Sequence, residues 1–457
     1  MYKKRRKIIA VLLVVMMMLC LWGCGNKETP GPSAQEETTV GSDSSEEATN
    51  DTEQVTLVLW GGMPIEDGIQ AILDGFMETY PNIKVEYTQY TNDDAGNAKL
   101  DTALLSGEQI DVYFTYSTNK IADRVKGGMA EDMANLGADA WIQENIGTEG
   151  VFQIDGKYYS IPSCKEPTVL MLNKDVFDAA GIPIPTEWTL DEFRDIAQKL
   201  TNTGAGVYGA FPMLYSDMIP ISKTVLGSNA WYNADGTASN FDDPAFVYDK
   251  MAYDLVMDGS SYPYEEILAK QITGGQWCQL FASGEVAIAI YQPWMSSTVS
   301  DLEQFPHDFQ TTFAPLPVPE KGKEYYNVGS LNNFMMINSK SECKEEAWLL
   351  IQYWLTDGAG EMLSVGKMPV VKNFEDPDMA KKILMDEEGS IFDLDAFTDI
   401  VLDPDTKFIC DTTTTALTEM KQIRKEEIDK LMLGEQSYDD FLQNLKKRCD
   451  EAIKSEL

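Results

Sequence analysis

YYSIPSCKEPTVLMLNKDVFDAAGIPIPTEW, residues Tyr158 to Trp188, holds the change of layer around which the chain is organised. Tyr159 to Pro162 must run extended, because proline disfavours the helical region for the residue before it. Cys164-Lys165-Glu166-Pro167 reads as a short polar insert held open by a second proline. Thr168 to Asn173 is an apolar run with a β-branched start, the pattern of a buried strand. Asp175 then opens a short helix, Gly181 closes it, and Pro183 and Pro185 forbid its continuation. An extended crossing thus leads straight into a buried strand, with a charged pair and a proline at the junction. A chain leaves one packed layer for another in this way.

Towards the N-terminus the pattern alternates. Val55 to Trp60 is a β-rich strand ending in the loop Gly61 to Pro64. Ile69, Ile72, Leu73 and Phe76 have helical spacing, and Pro81 stops that helix. Ile83 to Tyr87 alternates as a strand, Ala98 to Leu105 is a helix ending at Gly107, and Ile110 to Phe114 is the next strand. The order strand, helix, strand, helix, strand is that of an α/β fold, with ligands expected at the carboxyl ends of the strands. Two such ends present Trp60-Gly61-Gly62 and Thr115-Tyr116-Ser117.

Towards the C-terminus, Thr189 starts a helix with Asp191 and Glu192 in its first turn. Asp243 to Val256 and Gln276 to Phe281 read as helices. Glu285 to Tyr291 reads as a buried strand ending at Gln292-Pro293-Trp294, and Glu345 to Leu355 as a further helix. Tyr438 to Ile453 is a charged amphipathic helix, and no repeat of 20–50 residues is visible.

The stretch from Tyr158 to Trp188 resembles the inter-lobe crossing of extracellular solute-binding proteins of family 1, the type that delivers sugars to ABC importers. Leu280-Phe-Ala-Ser-Gly-Glu285-Val-Ala-Ile288 through Trp294, and Pro315 to Pro319 followed by Gly329, carry the same resemblance, which covers roughly residues 55 to 455. It implies an α/β, two-lobe, periplasmic-binding-protein-like fold of type II with three inter-lobe crossings, the second at Trp294 and the third near the helix from Glu345. Residues 54–162 plus 290–345, with Phe313 to Pro319 among them, would form the N-terminal lobe. Residues 163–289 plus 346–457 would form the C-terminal lobe. The implied activity is capture of a carbohydrate, an oligosaccharide, by lobe closure, with the permease subunits of an ABC transporter as partner. The protein would be a monomer without catalytic residues or cofactor.

Composition agrees with an extracytoplasmic binding protein. The 457 residues suffice for two cores, and 44% hydrophobic content is ordinary for a globular protein. A net charge of −38 argues against nucleic acid as partner. Lys3 to Lys7 is a basic run, Ile8 to Leu21 an apolar core too short for an ordinary membrane span, and Leu21-Trp-Gly-Cys24 resembles a lipobox. Residues 1–23 are therefore read as a lipoprotein signal peptide and Cys24 as the lipidation site, which anchors the protein to the outer face of the cell membrane. Residues 24–53 are acidic and Ser/Thr-rich, without an aromatic side chain, and read as a disordered tether.

Candidate binding residues gather at strand ends and crossings. Trp141, Trp277, Trp348 and Trp354 lie on helical patterns and are assigned to the core, and Trp188 to a turn. Trp60, Trp231 and Trp294 stand at loops or strand ends, where an apolar ring can stack on the C–H face of a sugar. Gly61, Tyr116 and Ser117 belong to the strand tips. Glu66, Glu166, Asn332 and Asn333 could bond hydroxyls, Gly329 lies beside them, and Lys165 and Lys367 are further candidates.

Other motifs lack their context. Gly204-Ala-Gly206-Val-Tyr-Gly209 follows a helix instead of opening one, so it reads as a helix end and turn, not a dinucleotide fingerprint. His307, the single histidine, supports neither a catalytic triad nor a His-based metal site. Asp393, Asp395 and Asp399 lack the glycine and glutamate of a calcium loop. Cys164, Cys278, Cys343, Cys410 and Cys449 have no C-x-x-C spacing and read as free thiols, so no metal is expected. A non-sugar solute such as a polyamine or peptide, a secreted two-carboxylate glycosidase and a surface adhesin remain as alternatives.

Overall fold

The computed structural model describes residues 54–457 apart from 215–216 and 273–275. Residues 1–53, to which the expected signal peptide, tether and lipidation site at Cys24 belong, lie outside the described residues. The remainder is an α/β structure built on two sheets.

The first sheet grows from the alternation read in the sequence. β1 (Val55–Gly61) lies between and parallel to β2 (Ile83–Gln89) and β3 (Val112–Thr115). β4 (Ile161–Glu166) is separated from them in sequence, and β5 (Val169–Asn173) follows it in the second sheet. A short ribbon, β6 (Met213–Leu214) with β7 (Asp217–Met218), precedes β8 (Ile288–Tyr291) and β9 (Thr311–Ala314). β10 (Ser330–Ile337) and β11 (Met368–Pro369) complete the first sheet, whose order is β11-β4-β10-β3-β1-β2. The second sheet has the order β8-β5-β9, all antiparallel.

β10 runs antiparallel to both β3 and β4, so β4 points the same way as β1, β2 and β3. The carboxyl ends of those four strands and the amino end of β10 therefore lie along one edge. The candidate site stands at that edge.

Each sheet is covered by helices. Helix Ile69–Thr79 buries Ile69, Ile72, Leu73 and Phe76, the spacing read from the sequence. Helix Leu190–Leu200 begins with a capping box between Thr189 and Glu192, and helix Lys174–Ala180 is closed by Gly181 at φ 66°. The Gly204–Gly209 stretch is a 3₁₀ turn (Thr203–Ala205) with no helix opening from it.

Four sequence readings are corrected. Cys164-Lys165-Glu166-Pro167 is no insert: residues 164–166 complete β4 and pair with β10 at Asn332↔Cys164, Leu331↔Lys165 and Ser330↔Glu166. The ladder ends at Pro167, which has no N–H to donate. Trp294 is no return crossing, because after it β9 pairs with β5, and Phe313 of β9 packs on Tyr291 at 4.9 Å. Residues 311–314 thus belong with the second sheet, and the chain re-enters the first only at β10. Helix Lys344–Leu355 belongs to the first lobe, because Ala347, Trp348, Leu350, Ile351 and Trp354 share a core with Leu57 and Leu59. Finally, Asp243 to Val256 is not one helix. A 3₁₀ segment, Pro244–Asp249, precedes helix Lys250–Met257, and Asp249 accepts bonds from the Ser222 backbone and hydroxyl, both at 2.7 Å.

All five described cysteines are free; Cys164, Cys278 and Cys449 are buried. Burial raises every one of these thiols, that of Cys410 to about 11 and that of Cys449 to about 12. Iodoacetamide at mildly alkaline pH is therefore expected to modify half-buried Cys343 and Cys410 first, and the other three only in denaturant. Peptide mass spectrometry reads this out. Rapid labelling of Cys164 in the native protein would contradict its place in β4.

Candidate functional site

Nine residues gather at the edge where strands β1 to β4 end, eight from the first sheet's strands and loops and one from beyond β8. Gly62 and Met63 follow β1, Asn92 follows β2, Tyr116 follows β3 and Glu166 ends β4. Asn332 and Asn333 are the third and fourth residues of β10, and Lys367 immediately precedes β11. Trp294, from the 3₁₀ turn after β8, closes the space from the second lobe. Together they line a cavity of about 400 Å³, within the range of small-molecule sites.

At its centre is Glu166, buried at 5% exposure. A buried carboxylate needs partners. Lys367 Nζ lies 2.8 Å from its Oε1, and Asn332 Nδ2 donates to its Oε2 at 3.0 Å. Cys164 Sγ approaches Oε1 at 3.9 Å, and burial followed by the Glu166 charge holds that thiol far above its ordinary value.

Tyr116 and Trp294 add aromatic surface to the lining. The Gly62 N–H donates to the Tyr116 hydroxyl at 2.7 Å. That approach requires a glycine, because a Cβ on Gly62 would stand 2.9 Å from the Tyr116 ring. Burial pushes the Tyr116 phenol well up, so it stays protonated and keeps its own O–H to give. Trp294 is half-buried, and its indole N–H donates to Gln292 Oε1 at 3.0 Å.

Asn333 carries backbone strain at this point. It has φ 52° inside β10, where a non-glycine residue costs about 1–3 kcal/mol. Asn332 Oδ1 accepts its N–H at 2.8 Å, and its own amide reaches Met63 Sδ at 3.6 Å. Such outliers cluster at ligand sites.

The sequence candidates divide. Tyr116, Glu166, Trp294 and Asn332 are brought together in the cavity. Trp60 is not there: at 4% exposure it packs among Tyr90, Leu100 and Tyr113, with Lys99 Nζ 5.4 Å from its ring centre. Gly61 is a packing position, since a Cβ would meet the Tyr87 hydroxyl at 2.6 Å. Glu66 is exposed, and Ser117 caps helix Thr118–Lys126 without a side-chain bond; neither lines the cavity. Gly329 stands beside the site, where a Cβ would lie 2.1 Å from the Glu166 carbonyl oxygen. Trp231 sits in the second lobe between Lys223 and Arg424, at 4.7 and 4.2 Å from its ring centre. It lines a different cavity of about 1150 Å³, shared with Asn119 and Lys126.

Met63 and Asn92 went unread as contacts. The signal for Asn92 was present, because β2 ends beside it as β1 and β3 end beside their loops. Among the described residues no group of three His, Cys, Asp or Glu side chains could hold a metal ion, and no helix is long and apolar enough to cross a membrane.

The model of one protein family, described as bacterial extracellular solute-binding protein, matches residues 63–361. A lipoprotein of Streptomyces antibioticus is 36% identical over 153 residues, 32% of this chain and 32% of that protein. The chain thus aligns with about a third of that relative's length. Among solved structures, a sugar transporter protein of Rhizobium etli in an open conformation superposes with a TM-score of 0.69 at 21% identity, over 88% of this chain and 99% of that one. An ABC substrate-binding protein of Listeria monocytogenes in complex with cycloalternan does so with 0.67 at 18% identity, over 88% and 99%.

Proposed function

We propose that this chain, which belongs to the bacterial extracellular solute-binding protein family, captures a carbohydrate, an oligosaccharide, between its lobes and delivers it to an ABC importer from a lipid anchor at Cys24. The observation that carries the reading is the chemistry of the cavity. An indole and a phenol supply faces for a sugar ring, while a carboxylate, an ammonium and amides supply both acceptors and donors for hydroxyls.

Charge favours a neutral solute. Among the described residues Glu166 is the one carboxylate lining the cavity, and Lys367 is paired with it. A polyamine would meet no uncompensated negative charge, and a peptide's carboxylate no uncompensated positive one. Two-carboxylate hydrolysis would need a second acid roughly 5–9 Å from the first. The Listeria neighbour, whose structure holds a cyclic saccharide, supports the carbohydrate class.

The test is a thermal-shift screen of mono- and oligosaccharides, maltose, maltotriose and raffinose among them. A solute at 100 times its Kd should add about 2.7 kcal/mol of stability. A panel in which spermidine or a peptide raises the melting point and no saccharide does would overturn the reading.

The anchor is tested separately. Cys24→Ala is expected to abolish incorporation of labelled palmitate and to release or misprocess the protein, with the melting of the folded head unchanged. The motive is the basic, apolar and Leu-x-Gly-Cys succession, and the Streptomyces relative described as a lipoprotein supports it. Palmitate still appearing at this end of the variant would refute the lipobox.

A further inference from the structure

Trp294 is tied into the joint between the two sheets by an unbroken line of side-chain hydrogen bonds. Its indole N–H donates to Gln292 Oε1 at 3.0 Å, and Gln292 Nε2 donates to Thr168 Oγ1 at 3.1 Å. Both ends of the Gln292 amide are thereby used, on a side chain only 8% exposed. Thr168, with Pro167, lies between β4 and β5, the first passage from one sheet to the other.

Asn327 continues the line. Its Oδ1 accepts the Thr168 N–H at 2.9 Å, and its Nδ2 donates to the Thr168 carbonyl at 3.1 Å, so one side chain imitates a strand partner. The same Oδ1 accepts the Gly329 N–H at 2.7 Å. Two backbone N–H groups aimed at one atom fix which end of the amide is oxygen. Asn327 itself lies in the return passage from β9 to β10, and its backbone bonds Lys407 at 2.8 Å. Gly329 packs so closely on Glu166 that no Cβ fits between them.

Lobe closure concentrates its dihedral change in such connecting residues. We propose that Gln292 and Asn327 are positioning residues for solute capture: through Thr168 they fasten the Trp294 ring to both connecting passages, so that a solute held on the ring sets the angle at which the lobes close. This rests on the reading of the cavity as the solute site. Neither residue lines that cavity, so their effect is exerted through Trp294 and the joint.

The experiment uses the full chain and two shape-conserving variants that cut the line at different links, Gln292→Met and Thr168→Val. Hydrogen exchange is followed at the Thr168 and Gly329 amides, both bonded to Asn327 and neither bonded to the removed group. Without solute, protection at these amides is expected to fall about tenfold in each variant, the factor of one ordinary hydrogen bond. The affinity for whichever saccharide of the screening panel binds is expected to fall by a similar factor, with the melting point within a few degrees of wild type. Protection within about twofold of wild type in either folded variant would overturn the coupling, and Gln292 would then only pack the ring. If no saccharide binds the wild type, the solute reading fails while the solute-free exchange still decides the coupling.

Discussion

Trp348→Ala is expected to lower the folding free energy by about 3–5 kcal/mol, the usual cost of emptying a large aromatic site in a core. Trp348 is 6% exposed and sits on the inner face of helix Lys344–Leu355. Its ring meets Trp141 edge-on at 5.7 Å, and its core partners include Leu57 and Leu59 of β1. Urea unfolding measures the change. Solute affinity at saturating folded protein should stay near wild type, because Trp348 lines no part of the candidate cavity. A loss below about 1 kcal/mol would place the ring outside the load of the core.

Trp60→Ala belongs with it, on the evidence of the structure and not of the sequence. At the end of β1 the ring could have turned towards the strand tip or into the layer beneath. Both neighbours of β1 are parallel strands, so the strand is covered on both faces, and Trp60 lies under Lys99 in the layer. Which way a terminal side chain turns depends on what covers it, and periodicity carries no such information.

The same limit explains the lobe boundaries. The strands around Val55, Ile83, Val112, Val169 and Ile288 were legible because apolar runs and alternation report local burial. They do not report the sheet that supplies it. Cys164 to Glu166 look like a polar insert, yet they end a strand paired with β10, and Glu166 reaches the cavity. β9, four residues long and wholly buried, carries no mark of joining β5 in place of the first sheet. Trp294 follows the end of β8 and lines the candidate cavity, but the chain does not cross back to the first sheet there. The rule that ligands sit at the carboxyl ends of strands points to Tyr116 and, applied to β2 as well, to Asn92, whereas Glu166 is singled out only as an acid near a crossing.

Trp294→Ala is expected to weaken saccharide affinity roughly tenfold or more while leaving the melting point nearly unchanged. The ring is half-buried and lines the cavity from the second lobe. Stacking of a nucleic-acid base on an aromatic side chain, a loose analogue, contributes about 1–3 kcal/mol, and 1.4 kcal/mol is tenfold. Stability should change little, because the truncated ring leaves a gap open to the cavity, which water can fill at small cost. The exception is the indole N–H: its loss frees Gln292 Oε1, which a water in the vacated space can satisfy. Trp294→Phe separates the two contributions, since it keeps a stacking face and removes only the donor. It should recover most of the affinity if stacking dominates, and little if the bond to Gln292 fixes the ring. Calorimetric titration beside thermal melting decides between these. An alanine variant that binds the saccharide like wild type would remove Trp294 from the site, and with it the second-lobe half of the cavity as the place where closure is felt.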